Sequence, residues 1–311
     1  MYFPYFRGRQ YELLALKELA SDNLIGKSVT PVVEPVKLTS TFNSTFKTFN
    51  DKQMPIALIL NPAVGDLVKN SNALEQLLED LQIHNSSIIP SILINESTKH
   101  TFLLLSEKKL LTSDISVIID NSNFLDIYKE LFDGTVPKYT LYPDERQIRR
   151  TVSHNKVLFE DRFNKKERNA DYPEDEFFSD DHLFFQAEGY IGFGDYSIIG
   201  KIYKESGFAP YAVAIHIVYF DSNNEDQLRI RHFVSDSNDD ISDVAGKFHE
   251  AVSKLRDWFS LGQQWQITSA LLSLVKYADS GYYPGLPTIK KLSIMHHLEL
   301  MYKYLEGNLH K

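Results

Sequence analysis

Arg7, Glu34, Asn61, Asn95, Asp120, Glu160, Asp161 and Asp195 each stand at the end of a short apolar run or just beyond it, a recurrence that marks a place where chemistry could sit. Carboxylates and amide oxygens gathered in a ring suit a hard cation such as Mg2+, which takes a few carboxylates and keeps water in its other positions. Arginines over such an ion suit a phosphate, because the guanidinium fork matches its oxygens two at a time. On that reading Glu34, Asp120 and Asp195 hold Mg2+ or another divalent cation, or act as acid and base. Arg7 and Arg9 bind phosphate, Asn61 and Asn95 orient the substrate, and Glu160 joins the ligand-binding set. The alternative needs no ligand: charged residues at strand ends solvate the sheet edge, while Glu34 or Asp120 pairs with an arginine inside the fold.

Several reaction templates fail on residue type alone. The chain has 0 cysteines, so thiolate metal sites, iron–sulfur clusters, disulfides and cysteine nucleophiles are excluded. No G-x-S-x-G, H-E-x-x-H or H-x-E with paired cysteines occurs, which removes serine hydrolase, zincin and deaminase signatures. A pyridoxal-phosphate barrel wants a lysine ending an early strand, where this chain has Arg7 and Glu34. A glycosidase needs two carboxylates roughly 5 to 9.5 Å apart, and Glu34 with Glu160 or Asp195 would be the pair to measure. His296 and His297 lie on a helical stretch and His216 in an alternating strand, positions that read as structural histidines. His154 and His232 have no such ready explanation, but neither has a neighbouring nucleophile.

The elements that must position these residues follow from periodicity. Apolar runs at Tyr2–Phe6, Thr30–Val36, Pro55–Leu60, Ile88–Ile94, Ile115–Ile119, Lys138–Tyr142, Lys156–Phe159 and Tyr190–Phe193 alternate with stretches of helical spacing. Leu13, Leu16 and Leu19 share one face of the first such stretch, and Ala73, Leu74, Leu77, Leu78 and Leu81 one face of another. Strands that alternate with helices predict an α/β fold with a parallel sheet, and their number and spacing predict a (β/α)8 TIM-barrel-like core. The strand-terminal residues would then crowd one mouth. An open doubly wound sheet fits less well, since no G-x-G-x-x-G follows the first strand.

Beyond this repeat the pattern changes. An acidic insert at about 164–188, with Asp171, Glu174, Asp175, Glu176, Asp180 and Asp181 around four phenylalanines, reads as a loop or short helix over the barrel mouth. Tyr211–Phe220 and Leu228–Val234 flank a polar turn and predict a β-hairpin. Asp243–Phe259, Gln264–Lys276 and Thr288–Leu305 predict helices. The domain reading is thus a barrel over 1–220 and a hairpin and helical extension over 221–311 packed on it. Trp258, Phe259, Trp265, Tyr282 and Tyr283 would supply aromatic anchors for a partner there, or would pack a core.

Charge and glycine add two local features. The 33 Lys+Arg against 42 Asp+Glu argue against broad attraction to nucleic acid or anionic lipid. Yet Arg146, Arg149, Arg150, Lys156, Arg162, Lys165, Lys166 and Arg168 make the segment 146–168 locally basic, either for a polyanion or to balance the acidic insert. Gly192, Gly194, Gly200 and Gly207 would let the backbone approach a ligand or turn sharply out of a strand. Arginines where a signal peptide needs an apolar segment, and no run of about eighteen apolar residues, predict a cytosolic chain with no membrane span.

Three groups of residues resemble a known family. The opening Tyr2-Phe3-Pro4-Tyr5-Phe6-Arg7-Gly8-Arg9-Gln10-Tyr11-Glu12, the strand Pro31-Val32-Val33-Glu34-Pro35 and the turn Gly194-Asp195-Tyr196 resemble the bacterial and phage "beta family" proteins. The subgroup it is most similar to also carries the Tyr211–His216 and Arg229–Phe233 strands. The resemblance implies a barrel-like α/β core in an antiphage or mobile-element setting, sometimes beside a nuclease-like gene. It transfers no catalytic residues. Two functions follow as expectations: a barrel enzyme acting on a phosphorylated ligand, nucleotide or nucleic acid, or a non-catalytic scaffold or regulator of a partner such as a nuclease.

Overall fold

Aliphatic and aromatic runs of a few residues, buried on both faces, form the parallel strands β1 (Tyr5–Phe6), β2 (Val32–Val33), β3 (Ile56–Ile59), β4 (Ile88–Leu93), β5 (Ser116–Ile118), β6 (Tyr139–Tyr142), β7 (Lys156–Glu160) and, after an excursion that carries β8 (Asp175–Ser179), β9 (Gly192–Asp195). The computed structural model describes residues 1–69, 76–77, 79, 86–205, 210–262 and 266–309. Ala73, Leu74, Leu78 and Leu81 of the helix expected after β3, with Gly207, Gln264 and Trp265, lie outside the described residues; Leu77 is described and buried. Each strand pairs in parallel with the next in the order β1-β2-β3-β4-β5-β6-β7-β9. Tyr2 bridges both Val29 and Phe193 in parallel, so the segment before β1 lies against β9 and the sheet forms a nearly closed barrel. The α/β barrel expected from the sequence is the fold observed.

Closure rests on two glycines. A Cβ on Gly194 would lie 2.3 Å from the Phe3 carbonyl oxygen, and one on Gly192 would lie 2.8 Å from the Met1 carbonyl oxygen. The glycines therefore serve the barrel's own seam, where Phe193 donates its N–H to Met1 and Phe3 donates to Phe193. Inside, Phe3, Tyr5, Val32, Ala57, Ile59, Ile89, Leu93, Ile118, Leu141, Val157, Phe159 and Tyr196 form one continuous core. Helices Gln10–Ser21, Ser40–Asp51, Thr98–Glu107 and Leu125–Phe132 flank the strands, burying Leu13, Leu16, Phe42, Phe46 and Leu105.

The chain divides into two compact units: residues 1–161 with 181–196, and residues 162–180 with 197–311. The sequence reading draws a single boundary at 220/221. The second unit holds a three-stranded antiparallel sheet in the order β10 (Ala214–Asp221), β11 (Gln227–Val234), β8 (Asp175–Ser179). The hairpin is as expected, but the acidic insert is not a loop or a short helix alone. It delivers β8 to the edge of β11, where Arg229 pairs with Asp175 and Arg231 with Glu174. Arg168 with Asp171 joins the basic stretch to the acids that follow it. Helix Val244–Ser260 packs on the sheet face carrying Tyr219 and Phe233, through Trp258. Helix Leu286–Leu305 packs on the other, where Phe220 stacks on Tyr304. Among the described residues no helix is long and apolar enough to cross a membrane.

Candidate site at the barrel mouth

The first two strands end on the residues that organise the mouth. Gly8 turns the chain out of β1 at φ +64, with Pro35 Cα and Val33 Cγ1 each 3.3 Å from where a Cβ would stand. Glu12, in the first turn of the following helix, accepts the backbone N–H of Arg7 at 3.0 Å and of Arg9 at 3.3 Å. This fixes the loop and sets the Arg7 side chain over the Tyr5 ring, 5.1 Å from guanidinium to centroid, and 5.8 Å from the Tyr196 centroid.

Glu34 is fully buried and its carboxylate is fully engaged. Oε2 accepts the Tyr5 hydroxyl at 2.7 Å and forms an ion pair with Arg7, while Oε1 accepts the Ala63 N–H at 2.6 Å. A buried carboxylate without such partners would be costly, so each contact is needed to keep the charge inside. Burial pushes the Tyr5 phenol well above its usual range, with Arg7 opposing, and pushes Tyr196 up as well, helped by nearby Asp120. Both phenols therefore stay protonated and act as donors, Tyr5 to Glu34 and Tyr196 to Asp120. Tyr5, Phe159 and Tyr196 close this cluster from below, with centroids 4.9 to 5.7 Å apart.

Of the residues expected to converge, Arg7, Glu34 and Asp120 meet around Tyr5 and Tyr196. Asp161 is near enough to raise the Tyr196 phenol further. The others are used elsewhere. Asp195 follows Gly194 by one residue and so faces away from the barrel interior, where it accepts the Tyr2 hydroxyl at 2.9 Å. Glu160 likewise follows core residue Phe159, and it accepts the Asp144 N–H at 2.8 Å. Asn61 binds the Leu93 backbone on both sides, accepting its N–H at 2.8 Å and donating to its carbonyl at 2.6 Å. Asn95 accepts the Ser97 N–H at 2.9 Å. Arg9 contributes its backbone N–H to Glu12. Among the described residues no three His, Asp or Glu side chains come together in a way that could hold a metal ion, Glu34, Asp120 and Asp195 included.

Sequence reasoning misses Tyr5 and Tyr196. The signal that finds them is strand parity: Tyr5 and Arg7, or Gly192, Gly194 and Tyr196, fall on one face. His296 and His297 are structural, as expected: His296 bridges Thr268 at 2.8 Å and the Val218 carbonyl at 2.7 Å, and His297 bonds Ser197 at 2.9 Å. Trp258 and Tyr283 pack inside the second unit, Tyr283 against Phe248, whereas Tyr282 is exposed. No protein-family model, curated protein or solved structure matches the chain.

Proposed function

We propose that the chain is a cytoplasmic, non-catalytic barrel scaffold or regulator of a nuclease-like partner protein in an antiphage or mobile-element-associated system. The observation that carries this reading is the closed network around Glu34. Tyr5, Arg7 and Ala63 occupy both of its carboxylate oxygens, so the group best placed for acid–base or metal chemistry is engaged in holding the barrel together. The setting and the partner class come from the family resemblance.

A second reading draws on Asp120 and Asp161, which gather near Tyr196 and Arg7 at the same mouth. It is a barrel enzyme acting on a phosphorylated ligand, nucleotide or nucleic acid, with Mg2+ or another divalent cation as an added ligand. Asp120→Asn and Asp161→Asn separate the two. Under the scaffold reading both variants protect cells in a phage challenge as the parent does and still co-purify with the product of the neighbouring gene. Loss of protection with unchanged Tm and unchanged co-purification would overturn it in favour of the enzyme.

A further inference from the structure

A cavity lies wholly within the unit formed by residues 162–180 and 197–311. It encloses about 240 Å3, below the roughly 300–1,000 Å3 of drug-sized sites. Its walls include Phe163, Lys165 and Tyr172 from the excursion, His216 from β10, and Ile289 with Lys290 from the Leu286–Leu305 helix. The lining carries two lysines and no carboxylate, and the rest is mainly aliphatic and aromatic. Lys165 also donates to the Ile199 carbonyl at 3.3 Å.

One wall holds an ordered relay of polar groups. His216 and His232 stand directly opposite on β10 and β11, and their Nδ1 atoms are 2.7 Å apart. At that distance one nitrogen must carry a proton and the other must not. His232 Nε2 is 3.2 Å from Glu176 Oε1 on β8. A carboxylate only accepts, so His232 carries its proton on Nε2 and offers a bare Nδ1. His216 must then donate from Nδ1, which leaves its Nε2 as a bare acceptor. Tyr172 stacks on His232 and meets His216 edge-on, with centroids 4.7 and 4.6 Å away, while Phe163 meets His216 edge-on at 5.2 Å. These rings lock the imidazoles in place. Burial, together with His232 and Lys290, pushes His216 down to about 3, so the ring is neutral at physiological pH.

We propose that this cavity is a binding site for a small ring-bearing anion that donates an O–H or N–H to His216 Nε2, with Glu176 and His232 as positioning residues that fix the accepting tautomer. The aliphatic and aromatic walls take the ring, and Lys165 and Lys290 take the charge. Nothing in this assignment depends on how the barrel mouth is used.

Three probes test it by calorimetric titration of the full chain: 4-hydroxybenzoate, benzoate, which lacks the donor, and phenol, which lacks the charge. We expect 4-hydroxybenzoate to bind about tenfold more tightly than either, the effect of one added polar contact in each case. His216→Phe should erase the advantage of 4-hydroxybenzoate over benzoate, and Lys290→Met should weaken both acids but spare phenol. Should these variants fold poorly, long-range 1H–15N correlation on the unaltered protein supplies a second readout: a bare Nε2 on His216, shifting when 4-hydroxybenzoate is added. A His216 ring protonated on Nε2, no saturable binding of 4-hydroxybenzoate, or binding that leaves the His216 and His232 signals unmoved would each overturn the proposal.

Discussion

The Tyr2 hydroxyl donates to Asp195 across 193 positions of sequence, joining the segment that precedes the first barrel strand to the end of the last one. Tyr2 is fully buried, and burial together with Asp195 raises its phenol well above the usual range, so the proton stays on the donor. Tyr2→Phe removes a bond to a carboxylate and should cost about 1.5–3 kcal/mol in urea denaturation. Asp195→Asn keeps an acceptor and should cost less. An equal or larger loss for the amide would mean that the contact is not what holds this carboxylate.

At the mouth, Arg7→Met strips the counter-charge from a fully buried carboxylate and should destabilise by about 3–5 kcal/mol. Replacing both members, Arg7→Met with Glu34→Leu, should recover most of that loss, because the uncompensated charge is gone. The comparison is a double-mutant cycle in urea. Additive effects would show that the two side chains do not depend on each other.

The seam makes a sharper forecast. Gly194→Ala puts a methyl group 2.3 Å from the Phe3 carbonyl oxygen, in backbone that has little room to yield. Destabilisation of about 1–3 kcal/mol or more is expected, visible as a lower Tm. Gly134→Ala is the contrast: φ there is positive, at +68, as that of Gly194 is not, but nothing lies within 4 Å of the added carbon. It should lose only the smaller cost of the strained backbone.

Stability should also fall in mild acid. Burial pushes His216 and His297 down to about 3 and His296 to about 4. The unfolded chain's histidines protonate near pH 6.5, so below that value the unfolded state binds more protons and folding weakens. The contribution is complete above about pH 6.5 and is lost progressively as pH falls toward about 4, by about 1.4 kcal/mol per pH unit for each ring. Urea midpoints taken across this range should decline, and His297→Gln should flatten the slope. A slope unchanged by that substitution would assign the acid sensitivity to other groups.

The barrel was legible because parallel strands are buried on both faces and so leave uninterrupted apolar runs such as Ile88–Leu93. β8 was not, since Asp175 and Glu176 look like loop residues until Arg229, more than fifty positions later, is set beside them. The site was legible in part, for a related reason. Reading the last residue of each run selects Glu160 and Asp195 and passes over Tyr196, since a step of one residue along a strand reverses the face and Tyr196, like Phe159, is turned into the core. Arg7 is legible because it follows its apolar run directly, and Glu34 because it is the one charged residue within Thr30–Val36. The His216–His232 pair depends on hairpin register, which spacing alone does not reveal.

The excursion 162–180 gives the chain an order of assembly as it leaves the ribosome. β8 emerges before the last barrel strand, yet its hydrogen-bonding partner β11 comes about fifty residues later, so an edge with exposed backbone groups must wait through completion of the barrel. No single cut yields two whole units, and an expression fragment ending near Asp221 would leave β8 unpaired. The acids that hide β8 from a sequence reader are suited to that interval: charge along a waiting edge discourages pairing with another nascent chain.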